Sequence, residues 1–292
     1  MDGLICVSKP TDFTSFDVVA KCRGILRERR IGHGGTLDPM ATGVLPLFLG
    51  RATSAVDLCP DTVKVYIAGI RMGLVTDTYD VTGNTVSSCE PGDIGVKEIE
   101  AVLPEFRGEI EQLPPMYSAV KVHGQRLYDL AREGREVERS PRKVTVGELV
   151  CYEEGSGLFL RVTCSKGTYV RSLVHDIGQK LGCGAALSSL NRTRACGFSL
   201  ADCVTLEQLQ QCRNEGDEAR YLRPISEVFK TLPELELTGE KLRRFVNGAD
   251  FETDKPDGLY TVFHGVFLGL CCVTGQIGCT KKLFCNPSEI VL

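Results

Sequence analysis

Gly32-His33-Gly34-Gly35-Thr36-Leu37-Asp38-Pro39-Met40-Ala41-Thr42-Gly43 sets one carboxylate inside a glycine-rich segment, directly after the basic run Arg27-Glu28-Arg29-Arg30. Glycine opens backbone conformations closed to other residues and lets the chain approach a ligand closely, while Pro39 biases Asp38 away from the helical region. The stretch reads as a rigid turn that projects Asp38 outward, beside cations suited to a polyanion. Asp-Pro and clustered glycines are also ordinary turn chemistry, so other parts of the chain must decide between the two.

Several competing sites are absent from the sequence. A dinucleotide fingerprint needs its glycines straight after a strand, whereas a basic helix-like segment comes first here, and no Gly-Lys-Ser or Gly-Lys-Thr phosphate loop occurs. The four histidines, His33, His123, His175 and His264, fall in unrelated segments, and there is no His-Glu-x-x-His or Cys-x-x-Cys, so no metal is expected. A Gly-x-Ser-x-Gly elbow is missing too.

The 292 residues are 42% hydrophobic and 25% charged, with a net charge of −4, which suits one large domain and a small one. Such a balance gives no global attraction to nucleic acid, so any RNA binding must come from local patches. Candidate patches are Lys21 to Arg30, Arg126 to Lys143, Arg192 with Arg194, and Lys241 with Arg243 and Arg244. Fourteen cysteines without paired spacing predict reduced thiols in a cytoplasmic setting. With the first motif beginning at Lys9 and no long apolar run, neither a leader nor a membrane span is expected.

Periodicity gives mixed strands and helices. Leu4 to Val7 reads as a buried strand, and Thr14 or Ser15 caps a helix whose Val18, Val19, Cys22, Ile25 and Leu26 share one face. Val63 to Ile70 and Leu158 to Cys164 read as strands. Val170, Leu173, Val174, Ile177 and Leu181 form a helical stripe, capped by Thr168 and closed by Gly182, and Thr205 with Gln208 is a capping-box signature. Residues 113–143, rich in Arg, Glu and Gly, read as an exposed insertion able to reach a partner. A boundary falls at Leu232 and Pro233; beyond it a short helix, Thr238 to Asn247, precedes strands Leu259 to Phe263 and Val266 to Val273 that turn at His264-Gly265.

Five separated stretches, in order, then resemble one family. They are Lys9-Pro10 with Thr14-Ser15; Gly32-His33-x-Gly35-x-Leu37-Asp38-Pro39-x-Ala41-x-Gly43; Lys64-x-Tyr66 with Gly73, Thr76-Asp77-Thr78, Asp80 and Gly83; Cys164-Ser165-Lys166-Gly167-Thr168-Tyr169-Val170-Arg171; and Leu190 with Arg192-Thr193-Arg194 and Phe198. Together they resemble the motifs of the TruB-type tRNA pseudouridine-55 synthases in their bacterial form. The resemblance implies an α+β fold. Residues 1–231 would be a pseudouridine synthase catalytic domain with a mixed or antiparallel sheet flanked by helices and an RNA-binding insertion at about 113–143. Residues 232–292 would be a small, mostly β, PUA-like RNA-binding module. Asp12 and Cys196 stand where the family usually has glycine.

Turning uridine into pseudouridine detaches uracil, rotates it and rejoins it through carbon, so no atom is gained and neither metal nor redox cofactor is demanded. One nucleophile and proton handling suffice. By resemblance Asp38 is that nucleophile, attacking either C1′ of the sugar or C6 of the base, and Arg171 pairs with it, favouring the ionised carboxylate. Tyr169 would remove the C5 proton, Tyr66 stack on the base, Leu190 wall the uracil pocket, and His33 fill the space that the extruded base leaves. Lys9 joins the substrate-binding set as a support for the active-site loop. Arg132, Arg135, Arg192 and Arg194 are the RNA-binding candidates. The implied partner is the T-arm stem-loop of tRNA, with no obligate protein partner. Two other readings fit the same core, a guide-RNA-dependent relative and a tRNA-folding chaperone; an intact Asp38, Tyr66, Tyr169 and Arg171 set favours an enzyme.

Overall fold

The chain forms a nine-stranded sheet and then a five-stranded one in a computed structural model that describes residues 1–290, except Ala119, His123 and Glu136 and the side chains of Lys121, Val122, Arg126, Arg132 and Glu289. Strand β1 (Gly3–Lys9) is buried along nearly its whole length. Thr14 then starts helix α1 (Ser15–Leu26) through a capping box: the Thr14 hydroxyl accepts from the Asp17 N–H at 3.0 Å, and the Asp17 carboxylate accepts from the Thr14 N–H at 2.8 Å. The predicted face, Val18, Val19, Cys22, Ile25 and Leu26, is the buried one, packed with Ile5, Val7, Leu45 and Leu47.

The large sheet continues through β2 (Ile31–His33), β3 (Thr42–Leu49), β4 (Lys64–Met72), β5 (Gly108–Gln112), β6 (Arg142–Glu154), β7 (Gly157–Cys164), β8 (Ala185–Ala195) and β9 (Phe198–Ser199). Its spatial order is β1-β3-β8-β4-β7-β6-β5, with β2 added on β3 and β9 on β8. All these pairings are antiparallel except β3 with β8, where Thr42 faces Asn191 and Gly43 faces Arg192. The sheet is therefore mixed. That single parallel contact is what brings the glycine-rich loop ahead of β3 next to the middle of β8.

Helix α2 (Val170–Lys180) packs Val170, Leu173, Val174 and Ile177 on the sheet. Thr168 does not cap it. The N-cap is Tyr169, without a side-chain cap bond; the Thr168 hydroxyl donates back to the Ser165 carbonyl at 3.0 Å. The Gln112 amide holds the helix start instead, accepting from the Tyr169 N–H at 2.7 Å and donating to the Tyr169 carbonyl at 2.9 Å. Helix α3 (Leu206–Glu215) does carry the capping box of Thr205 and Gln208. Asp12 and Cys196 adopt φ of +63° and +53°, the left-handed region where glycine is the unstrained choice.

Between β5 and β6, residues 113–141 are not a bare loop. They include a small hairpin and a helix, Leu127–Arg132, that buries Leu127 and Leu130. Beyond Pro233 the second sheet runs β10 (Glu234–Glu236), β11 (Phe251–Glu252), β12 (Gly258–His264), β13 (Val266–Thr274) and β14 (Ile277–Leu283) in the order β10-β12-β13-β14-β11, with helix α4 (Gly239–Val246) against it. The β12–β13 turn falls at Gly265, φ +65°. An aromatic group joins the two parts: Phe229 contacts Phe267 and Phe284, with ring centroids 6.0 and 5.6 Å away, and shares a core with Phe48 and Phe198. No disulfide joins cysteines among the described residues. No helix among the described residues is long and apolar enough to cross a membrane.

Gly43 fixes the β3–β8 approach. A Cβ there would sit 2.2 Å from the Arg192 carbonyl oxygen, and the backbone has φ +104°. Gly43→Ala is expected to cost about 1–3 kcal/mol of stability from steric overlap alone, with backbone strain in addition. Denaturant unfolding measures it; a variant as stable as the wild type contradicts this packing.

Candidate active site

The loop between β2 and β3 is fixed from three sides. Leu37 N–H donates to the Ser15 hydroxyl at 2.8 Å, and that hydroxyl donates to the Leu37 carbonyl at 3.2 Å. Asp38 opens a tight turn in which the Ala41 N–H reaches its carbonyl at 3.0 Å. Lys9, fully buried, donates from Nζ to the carbonyls of Pro10, Phe13 and Pro39. Arg192, also fully buried, donates to the carbonyls of Val44 at 2.8 Å, Gly35 at 3.0 Å and Thr36 at 3.4 Å. Two buried cations thus bind backbone oxygens on either side of Asp38, and the carboxylate projects from a clamped turn.

Arg171, in the first turn of α2, meets that carboxylate. Its Nε lies 2.9 Å from Oδ2 of Asp38, and Nη2 donates to Oδ1 at 3.1 Å. This is the two-pronged geometry that a planar guanidinium makes and an ammonium does not. The remaining prongs donate to the carbonyls of Thr78 at 2.9 Å and Tyr117 at 2.7 Å, while the Asp80 carboxylate stands 3.8 Å from Nη1. Asp80, buried, is in turn held by Thr78 and by both the N–H and the hydroxyl of Thr82. The Arg171 side chain is 5% exposed and that of Asp38 34%. The arginine is locked in protein, and the aspartate faces a cavity.

That cavity, of about 200 Å³, is lined by Asp38, Tyr66, Tyr169, Arg171 and Leu190, and also by Lys64, Ser118 and Thr168. Tyr66 on β4 and Leu190 on β8 lie in adjacent strands, and the register that pairs Leu190 with Ala68 also sets Arg192 beside Tyr66. Tyr66 is nearly enclosed, and burial pushes its phenol pKa up, keeping the ring neutral. An aromatic face, an apolar wall and an ion-paired carboxylate around one small cavity suit a flat heterocycle presented to a nucleophile. Among the described residues no group of three or more His, Cys, Asp or Glu converges.

Residues 23–170 match the family model described as TruB family pseudouridylate synthase (N terminal domain), and residues 171–230 match tRNA pseudouridylate synthase B C-terminal domain. The chain belongs to the TruB family of pseudouridylate synthases. A tRNA pseudouridine synthase B from Bacillus velezensis is 44% identical to it over 99% of this chain and 94% of that one. One from Dehalococcoides mccartyi is 44% identical over 88% and 86%, and one from Pseudomonas fluorescens 47% identical over 85% and 82%. Among solved structures, a chain of a Cbf5-Nop10-Gar1 complex superposes with TM-score 0.75 at 28% identity, covering 98% of this chain and 86% of that one.

Measured against the TruB motifs, the structure brings Asp38, Tyr66, Tyr169, Arg171 and Leu190 together at one cavity. Others in the expected set lie elsewhere. Lys9 has no exposed surface and touches loop carbonyls, so it supports the loop and is not a substrate contact. His33 on β2 accepts from the Gly35 N–H through Nδ1 at 3.3 Å, outside the cavity lining; burial, then Arg192 and Lys64, lower its pKa. Arg192 is not an RNA-facing residue, because its guanidinium is spent inside the protein on backbone carbonyls. Arg194, half-exposed, pairs with Asp61 at 2.7 Å, and Arg135 lies at the surface 3.4 Å from Glu133. The Arg132 side chain lies outside the described residues. Asp80 and Gln112 were legible only as a motif member and a polar residue; their work in positioning Arg171 and Tyr169 comes from distant segments that no local pattern joins.

Arg192→Met leaves buried carbonyls of the loop without donors, each costing about 1–3 kcal/mol. A loss of at least about 2 kcal/mol in unfolding free energy is expected on that basis; an unchanged melting curve contradicts the supporting role.

Proposed function

We propose that this chain isomerises uridine 55 in the T loop of tRNA to pseudouridine, with Asp38 as the nucleophile on an extruded base. The observation that carries the reading is the Arg171 fork on Asp38 at the wall of a cavity that also holds Tyr66, Tyr169 and Leu190. A protein that only bound or remodelled RNA has no use for a carboxylate oriented through both oxygens. Tyr66 stacks on the base, worth about 1–3 kcal/mol per stacked base, Leu190 closes the pocket, and Tyr169 is the group that takes the C5 proton once the new carbon–carbon bond exists. Holding the loose uracil against one face while it turns is a task for shape and stacking, and extruding it from the loop costs a few kcal/mol.

The chain acts on tRNA alone in this proposal, without an obligate protein partner. Its resemblance to relatives named tRNA pseudouridine synthase B, at 44–47% identity, is well above its 28% to the Cbf5 chain. The T-arm stem-loop would lie across the cavity mouth, with residues 113–143, Arg135 among them, and Arg194 reaching phosphates. Residues 232–292 would be a PUA-like module that adds RNA contacts outside the 1–231 catalytic domain.

Asp38→Asn keeps the shape and removes the charge. Tritium released from C5-labelled uridine in an unmodified T-arm stem-loop is expected to fall at least about a thousandfold, while RNA affinity stays within about tenfold, 1.4 kcal/mol. Sustained release by the folded variant overturns the assignment.

A further inference from the structure

Lys64 opens β4 two residues before Tyr66, and its side chain lines the cavity. It is half-buried, and no hydrogen bond or ion pair holds it among the described residues. Its surroundings are cationic. A Cβ built on Gly35 would lie 3.2 Å from Lys64 Nζ and 3.5 Å from Arg192 Nη1, so the two charged ends flank one point on the glycine-rich loop. Arg192 is satisfied by carbonyls and has no carboxylate partner among the described residues. The Asp38 charge is taken by Arg171. Burial, then the Arg192 charge, lower the Lys64 pKa, opposed in part by the nearby Cys196 and Cys164 thiols.

An ammonium in this position is unfavourable for the free protein, since a partly desolvated charge without a partner is costly. A neutral uracil carbonyl offers no charge to offset it. A phosphodiester does, and the substrate brings two of them to the cavity rim, because extruding one nucleotide swings its flanking phosphates with it. Lysine, a compact point charge, suits a phosphate approached from an open side. Gly35 leaves the side of the ammonium clear, where any side chain would press on it.

We propose that Lys64, with the buried Arg192 charge behind it, is a phosphate subsite that grips one of the two backbone phosphates flanking the extruded uridine. It rests on the reading of the cavity as a uridine site, and it assigns to Lys64 a specificity for a nucleotide within a polynucleotide over a free nucleoside.

The test is a double cycle on kcat/KM. The wild type and Lys64→Met are each assayed with a T-arm stem-loop carrying ordinary phosphates, and with two loops in which a neutral methylphosphonate replaces the phosphate 5′ or 3′ of the target uridine. Lys64→Met is expected to lower kcat/KM about tenfold or more on the ordinary loop, and one methylphosphonate to lower the wild type similarly. That same methylphosphonate should change Lys64→Met less than about twofold, the mark of two changes that remove one contact. Effects that multiply at both positions, or a wild type indifferent to both methylphosphonates, overturn the proposal. Product from the wild type on the ordinary loop reports separately on the uridine reading. Lys64→Met should melt no lower than the wild type, since it removes an unpartnered charge. If Lys64→Met fails to fold, Lys64→Arg, which keeps the charge, replaces it, and the proposal then requires Lys64→Arg to retain the wild-type sensitivity to that methylphosphonate.

Discussion

The fork between Arg171 and Asp38 governs the rest of this molecule. A guanidinium only 5% exposed cannot be left without acceptors, and breaking a buried pair typically costs about 3–5 kcal/mol. Arg171 also sits in the first turn of α2, where the helix dipole disfavours a cation. The fold meets both demands by drawing Asp38, Asp80, and the carbonyls of Thr78 and Tyr117 around it. Three separate segments thereby end on one side chain, and the aspartate is the one partner left facing the cavity.

A second set of buried cations serves the same turn from behind. Lys9 and Arg192 have no exposed surface, yet among the described residues neither has a carboxylate within hydrogen-bond reach; both are spent on backbone oxygens of the loop or its flanks. Together with Lys64 and Arg171 they gather four cations around the Asp38 turn in a chain whose overall charge is −4. A local excess of this kind attracts a polyanion while the exposed surface stays mixed. The glycines contribute by absence: Gly35 gives room to Lys64 and Arg192, and Gly43 lets the β3 backbone close on β8.

Much of this was legible in the sequence where a local rule decides the outcome. The capping box at Thr205, the start of α1 at Thr14 or Ser15, its buried stripe and the turn at His264-Gly265 follow from spacing alone, and Asp12 takes a turn conformation that an aspartate tolerates. The strand β3 was not legible, because Gly43 to Leu49 is buried throughout and contains Pro46, so it shows no alternation and carries a residue that argues against a central strand. Nor was β8, whose serines, asparagine and arginines look like a surface. Arg192 illustrates the reason. An arginine in a polar run is usually solvated, and only the parallel pairing of β3 with β8, a contact between residues about 150 positions apart, buries it under the loop that carries Asp38. Thr168 misled for the opposite reason: a good capping residue stands next to the helix, but Gln112 from β5 already occupies the Tyr169 backbone.

The claim on which all else rests is that the two-pronged hold of Arg171 aims the Asp38 carboxylate. The single-turnover rate of pseudouridine formation by Arg171→Lys, at saturating T-arm stem-loop, tests it most directly. Lysine keeps the positive charge and loses the fork, so a carboxylate that must be aimed predicts a fall of at least about a hundredfold, the penalty for a small misplacement of a reacting group, with RNA still bound. A rate within a fewfold of the wild type would show that charge alone suffices and that the geometry around Arg171 is not what makes Asp38 reactive.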